Sequence, residues 1–153
     1  MFPVLMEKGL SKIIKNHWAS LMKENLPHYV PYKEKTIYLW SDESAWWFRK
    51  DKIALFVIFK TYPKGGSEFT IELGWSRKMR FPELSQRPSL VSKEGLENPE
   101  QYEEATFRIT ELRERQDSLG GFIRIFSQDF ERVLDEQMKI LLEYGVPYLE
   151  KLQ

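Results

Sequence analysis

The sequence of 153 residues contains no cysteine. Disulfide frameworks, cysteine nucleophiles and thiolate metal centres are therefore excluded. It has only two histidines, His17 and His28. They do not fall at the spacing of a His-Glu-x-x-His metal helix. No serine sits in a Gly-x-Ser-x-Gly elbow, so a hydrolase triad lacks its usual signature. Lys64-Gly65-Gly66-Ser67 brings glycines and a lysine together but lacks phosphate-loop spacing, and it reads as a hairpin turn. No apolar run approaches the ~20 residues of a membrane span, and the start Met1-Phe2-Pro3-Val4-Leu5-Met6-Glu7-Lys8 does not resemble a secretory signal. These absences set the expectation of a cytoplasmic protein without a membrane partner, a cofactor or a metal.

What is present suits one α+β domain over residues 1–153. Formal net charge is zero, but it is unevenly divided. Residues 1–80 carry 14 basic and 8 acidic side chains, a net +6, and residues 81–153 carry 9 and 15, a net −6. The halves either attract one another within the fold or give the surface two faces of opposite sign. A net of +6 is modest for a nucleic-acid-binding face.

Two stretches repeat every 3.6 residues. Leu10, Ile13, Ile14, Trp18, Leu21 and Met22 form one apolar stripe, closed by Asn25 and Pro27. Phe130, Val133, Leu134, Met138, Leu141 and Leu142 form another at the same offsets, with Ser127 as the expected N-cap, Gly145-x-Pro147 as the expected end and Val146-Pro147-Tyr148-Leu149 as the start of one further short turn. Between them lies an antiparallel sheet. Strands are predicted over Thr36–Trp40 and Ala45–Lys50, joined by the polar turn Ser41–Ser44. Ile53–Thr61 is apolar on both faces and belongs at the centre of the sheet. Pro63-Lys64-Gly65-Gly66 turns the chain into Phe69–Trp75, whose alternation predicts one buried and one wet face. Residues 77–104 lose periodicity and carry Pro82, Pro88 and Pro99. Alternation resumes at Ala105–Ile109, and Gly121–Phe126 is predicted to be a final strand paired with Phe107–Leu112 across a 113–120 turn. The fold class is therefore α+β: a mainly antiparallel sheet of five or six strands flanked by amino- and carboxy-terminal helices.

Several groups of residues are candidates for function. Glu72, expected on the wet strand face with Asp51 and Asp42 near neighbouring strand starts, is the first candidate for a metal-dependent nuclease site. The Glu-x-Lys pair of such enzymes is incomplete, because Leu73-Gly74 follows Glu72. The large rings Tyr38, Trp40, Trp46, Trp47 and Trp75, beside Lys50, Lys52, Lys60 and Arg77, admit three readings. They are core, a protein-binding surface, or a stacking platform for single-stranded nucleic acid. Adjacent strand residues point to opposite faces, so Trp46 and Trp47 cannot share one. Pairing of the last two strands would place Arg108 beside Arg124, a candidate anion site unless Glu111, Glu114 or Asp117 neutralises it.

The order of elements, together with Trp47-Phe48-Arg49, Phe69-Thr70-Ile71-Glu72-Leu73-Gly74 and Pro147-Tyr148-Leu149, resembles a bacterial family known as domain of unknown function 4304. The chain departs from that family at Glu72, where asparagine is frequent, and in Gly121–Phe126, which lacks paired tryptophans. The resemblance covers most of the chain and implies neither a reaction nor catalytic residues. The leading expectation is a non-catalytic module that binds another protein, of the accessory or immunity type in bacterial toxin and defence systems. The alternatives are a degenerate metal-dependent nuclease-like domain and a single-stranded nucleic-acid-binding protein.

Overall fold

A computed structural model describes residues 2–62, 68–112 and 122–153. The fold is α+β. Helix α1 (Phe2–Asn25) is followed by strands β1 (Val30–Pro31), β2 (Glu43–Lys50), β3 (Ile53–Thr61) and β4 (Glu68–Ser76). A short helix α2 (Lys93–Glu97), strands β5 (Glu104–Arg108) and β6 (Ile123–Arg124), helix α3 (Phe130–Ile140) and helix α4 (Val146–Glu150) complete it. The sheet is antiparallel throughout, in the order β1-β2-β3-β4-β5, with β6 on the free half of β4.

The all-apolar β3 lies inside the sheet, paired along its length with β2 and β4. β2 and β3 are joined by Asp51 and Lys52. Asp51 adopts a left-handed φ of 54°, a conformation that two-residue hairpins require and aspartate tolerates. Register then sorts the side chains. One face carries the row Trp46, Val57, Leu73, Phe107, and the other carries Trp47, Phe56, Gly74, Thr106.

Both long helices cover the same face. Leu10, Ile14, Trp18 and Met22 of α1, and Leu134 and Met138 of α3, share one core with Trp46, Leu55, Val57, Phe59, Leu73 and Trp75. Trp18 stacks on Phe59 at 5.3 Å between ring centroids. Each such side chain removed from water contributes about 1.5–3 kcal/mol. Ile13, predicted to belong to the stripe, is 48% exposed, so the buried stripe of α1 is narrower than its sequence pattern. Asp129 rather than Ser127 stands at the start of α3, and its side chain accepts a hydrogen bond from the Phe126 N–H at 2.9 Å.

In place of the predicted stop at Gly145 stands a wide π turn, Leu141–Gly145, which runs without a break into α4, the further short turn expected from Val146. Proline cannot donate to a helical carbonyl four residues back, and a π turn ahead of Pro147 lets the helix continue. Gly145 is needed for a second reason. A Cβ there would stand 2.8 Å from Leu141 Cδ1 and 3.0 Å from Leu73 Cδ1.

Among the described residues, the other face has no helix. It is covered by residues 32–42 and 77–92, whose Tyr32, Tyr38, Leu39, Met79 and Phe81 pack on Trp47, Phe56 and Ile58. The predicted wet face of β4 is therefore corrected: Thr70, Glu72 and Ser76 are all buried. Thr36–Trp40 is not a strand. Its backbone bonds to side chains instead, Tyr38 N–H to Thr36 Oγ1 at 3.1 Å and Trp40 N–H to Glu43 Oε1 at 2.9 Å. The aperiodic 77–104 stretch holds α2, N-capped by Ser92, and a 3-10 turn at Pro99–Gln101. The predicted Pro63–Gly66 turn, the 113–120 turn and Gly121 lie outside the described residues.

Polar side chains of the first half meet partners from the second across the fold. His17 of α1 bonds Asp135 of α3 at 3.1 Å, Arg80 bonds Glu104 at 3.0 Å, and the Lys50 ammonium donates to the Glu150 carbonyl at the end of α4. Among the described residues, no helix is long and apolar enough to cross a membrane.

Candidate functional site

The helix-free face changes character along its length. Around Trp47 and Phe56 it is apolar. Toward the Thr61 end of β3 it becomes charged, because Glu43 pairs in register with Lys60, and Glu72 with Arg108. All four point to the same side as Ile58 and Ala45.

A fifth charge is delivered by the loop. Ser89 docks on the outer edge of β5. Its N–H and that of Leu90 donate to the Thr106 carbonyl at 2.9 and 3.0 Å, and its hydroxyl accepts from the Thr106 N–H at 2.9 Å. Phe81 is tethered at the other end, its N–H donating to the Tyr32 hydroxyl at 3.2 Å. Between these anchors Arg87 reaches inward. Its Nη2 donates to Glu43 Oε2, and its Nε lies 3.9 Å from Glu72 Oε1. The three side chains are only 4%, 0% and 2% exposed.

Trp40 covers this group. Its backbone is fixed by the Trp40–Glu43 turn, which Asp42 fastens to Thr61 by a 3.1 Å backbone bond. The ring stands 4.6 Å from Lys60 Nζ and 5.2 Å from the Arg87 guanidinium carbon, which is also 5.2 Å from the Phe81 ring. Cations so placed are held by the ring quadrupole. Trp40 itself is 51% exposed. Arg108 lies under Phe122 at 5.3 Å.

Burial pushes the Glu72 carboxyl above its ordinary pKa. Arg87 opposes that shift, Glu43 adds to it, and Lys60 and Arg108 oppose it more weakly. Glu72 thus feels all four surrounding charges, and desolvation still dominates. Several buried atoms remain without hydrogen-bond partners: Glu72 Oε1, Arg87 Nε and Nη1, and Arg108 Nε.

Of the residues singled out by sequence, Trp40 and Lys60 come together here, with Tyr38 half-buried beside them in the same face's core. Trp46, Trp47 and Trp75 are 7%, 7% and 0% exposed, which removes them from any partner's reach. Trp75 Nε1 donates to the Tyr102 carbonyl at 2.9 Å. Arg77 is occupied by the backbone carbonyls of Tyr102 and Gln153, at 2.5 and 2.8 Å. Arg108 and Arg124 are not neighbours, because β6 pairs with Glu68 and Phe69 of β4 rather than with β5, and Arg124 bonds Glu68 at 3.4 Å. The Arg108–Arg124 anion site is withdrawn for that reason. Glu114 and Asp117 lie outside the described residues.

Asp51 is no partner for Glu72. It sits in the β2–β3 turn, beyond Ile53, whereas Glu72 pairs with Ile58. Five strand residues span roughly 17 Å. Among the described residues no group of three or more His, Asp or Glu side chains could hold a metal ion. Arg87 and Glu43 were not anticipated. Arg87 stands in an aperiodic loop and Glu43 in what reads as a polar turn, so neither carries a local pattern. No family model, curated protein or solved structure matches the chain.

Proposed function

We propose that the chain is a non-catalytic module that binds another protein, related to the 4304 family and of the accessory or immunity type in bacterial toxin and defence systems. The observation that carries this reading is the 33–42 segment. Ile37 is 82% exposed and Trp40 51% exposed, although the segment's flanks are pinned by Tyr32, Leu39 and the Trp40–Glu43 turn. An apolar side chain held outward on an anchored segment loses little further freedom on association, and tryptophan is a frequent anchor of protein interfaces. Beside it lies an open depression of about 630 Å³, lined by Tyr32, Lys33, Glu34, Lys35, Thr36, Ile37 and Leu39. Its two lysines favour an acidic partner surface.

The competing readings lose their parts. A nuclease would need a cation between its carboxylates, and a guanidinium occupies that place between Glu43 and Glu72. A base-stacking platform would need Trp46 and Trp75, which belong to the helix-side core.

Affinity capture from the native host, with the wild-type chain and with an Ile37→Ser/Trp40→Ala variant of unchanged circular dichroism, tests the proposal. Recovery of one stoichiometric protein by the wild type, lost with the variant, is expected. Recovery of none, or equal recovery by both, overturns it.

A further inference from the structure

The cations around Glu72 outnumber what their described neighbours satisfy. Arg87 spends Nη2 on Glu43, and its Nε and Nη1 are buried without a hydrogen-bond acceptor. Arg108 Nε is in the same condition. Lys60 makes no ion pair with a described residue, and its ammonium rests against the Trp40 ring. Buried donors of charged groups are costly to leave unmet, and native interiors leave few of them. Among the described residues, three cations here face two carboxylates, Glu43 and Glu72. Glu43 is already committed on both oxygens, Oε1 to the Trp40 N–H and Oε2 to Arg87.

We propose that Lys60, Arg87 and Arg108 form a binding site for a small oxyanion, a carboxylate or phosphate group, admitted past the half-exposed Trp40 ring. Such a group brings acceptor oxygens to donors that have none and restores charge balance on this face. Guanidinium groups suit it because their planar donor pairs match carboxylate and phosphate oxygens. Glu72 acts as the counterweight. Its carboxylate competes with the incoming anion, and its raised pKa, caused mainly by burial, lowers that competition by favouring the neutral form. The site shares the Trp40 ring with the protein-binding segment, whereas Ile37 takes no part in it.

The full chain is titrated calorimetrically with inorganic phosphate and, separately, with acetate, at constant ionic strength set by chloride. Saturable binding with a dissociation constant on the order of 1 mM or tighter is expected for at least one probe, and the responding probe assigns the oxyanion. Lys60→Gln, at a partly exposed position, should weaken it about tenfold, whereas Glu72→Gln, which removes a competing negative charge, should tighten it. Absence of saturation with both probes overturns the proposal, as does binding that neither variant changes. Absence of saturation in the wild type overturns the proposal even if a variant fails to fold, and binding by the wild type is assigned to this site by whichever variant folds.

Discussion

Replacing Arg87 by methionine keeps most of the side chain's volume and removes its charge. Glu43 would then be a fully buried carboxylate facing only the Trp40 N–H and the more distant Lys60, and Glu72 would lose its strongest favourable neighbour. Removing one partner of a buried ion pair costs about 3–5 kcal/mol, because the other charge is left uncompensated. The stability of an ordinary domain is only about 5–15 kcal/mol, so Arg87→Met should bring the protein close to its unfolding threshold. The double variant Arg87→Met/Glu43→Gln removes the stranded charge along with its partner. It should recover up to about 3 kcal/mol relative to the sum of the single substitutions. Urea unfolding of wild type, both single variants and the double variant closes the cycle, provided the slopes agree. A loss under about 1 kcal/mol for Arg87→Met, or strict additivity in the double variant, would refute the argument that Arg87 and Glu43 are energetically coupled.

Two further outcomes are expected. Gly145→Ala should reverse the usual helix preference, in which alanine is better by about 1 kcal/mol; the crowding by Leu141 and Leu73 should instead destabilise by about 1–3 kcal/mol, read as a lower Tm. Acid titration should separate two buried carboxylates. Burial pushes Glu104 up, but hydrogen bonds from Arg80, Ser76 and the Glu83 N–H outweigh it and leave the pKa lowered. Its stabilisation is full above the ordinary carboxylate range and fades as pH falls toward the lowered folded value. Glu104→Gln should thus be less stable at neutral pH, with the gap closing on acidification. Glu72, whose pKa is raised, has the opposite sign. Its contribution is favourable at low pH and lost as pH rises from the ordinary carboxylate range through the folded value, so Glu72→Gln should gain on wild type with rising pH in denaturant midpoints.

The elements legible in the sequence are those whose partners are written into their own periodicity. Leu10 to Met22, Phe130 to Leu141 and Ile53 to Thr61 each announce how many of their faces are covered. Trp46 and Trp47 could be assigned to opposite faces by strand alternation, and they lie in the two separate cores. The failures share a cause. Thr70, Glu72, Gly74 and Ser76 look like a solvated row because polar residues usually are, and the guanidinium that accompanies Glu72 inward comes from position 87, in a loop without pattern. Thr36–Trp40 has the β-branched and aromatic alternation of a strand, but Thr36 Oγ1 and Glu43 Oε1 offer its N–H groups local acceptors, the competition that side-chain oxygens bring to ladders. The pairing of Gly121–Phe126 with Phe107–Leu112 assumed that neighbours in sequence pair. Instead β5 ends at Arg108 and the chain tightens into a 3-10 turn over Ile109–Leu112, while the half of β4 from Glu68 offers a free edge to β6.

The unequal cover of the sheet bears on how the molecule opens. On one side, two long helices interlock with the strands, and releasing them means losing the larger core. On the other, a few anchors retain the cover: Ser89 on Thr106, Phe81 on Tyr32, and Arg87 on Glu43. Amide exchange should accordingly be faster in residues 77–92 than in α1 or β3, through a partial unfolding that lifts this loop while the helical layer stays in place.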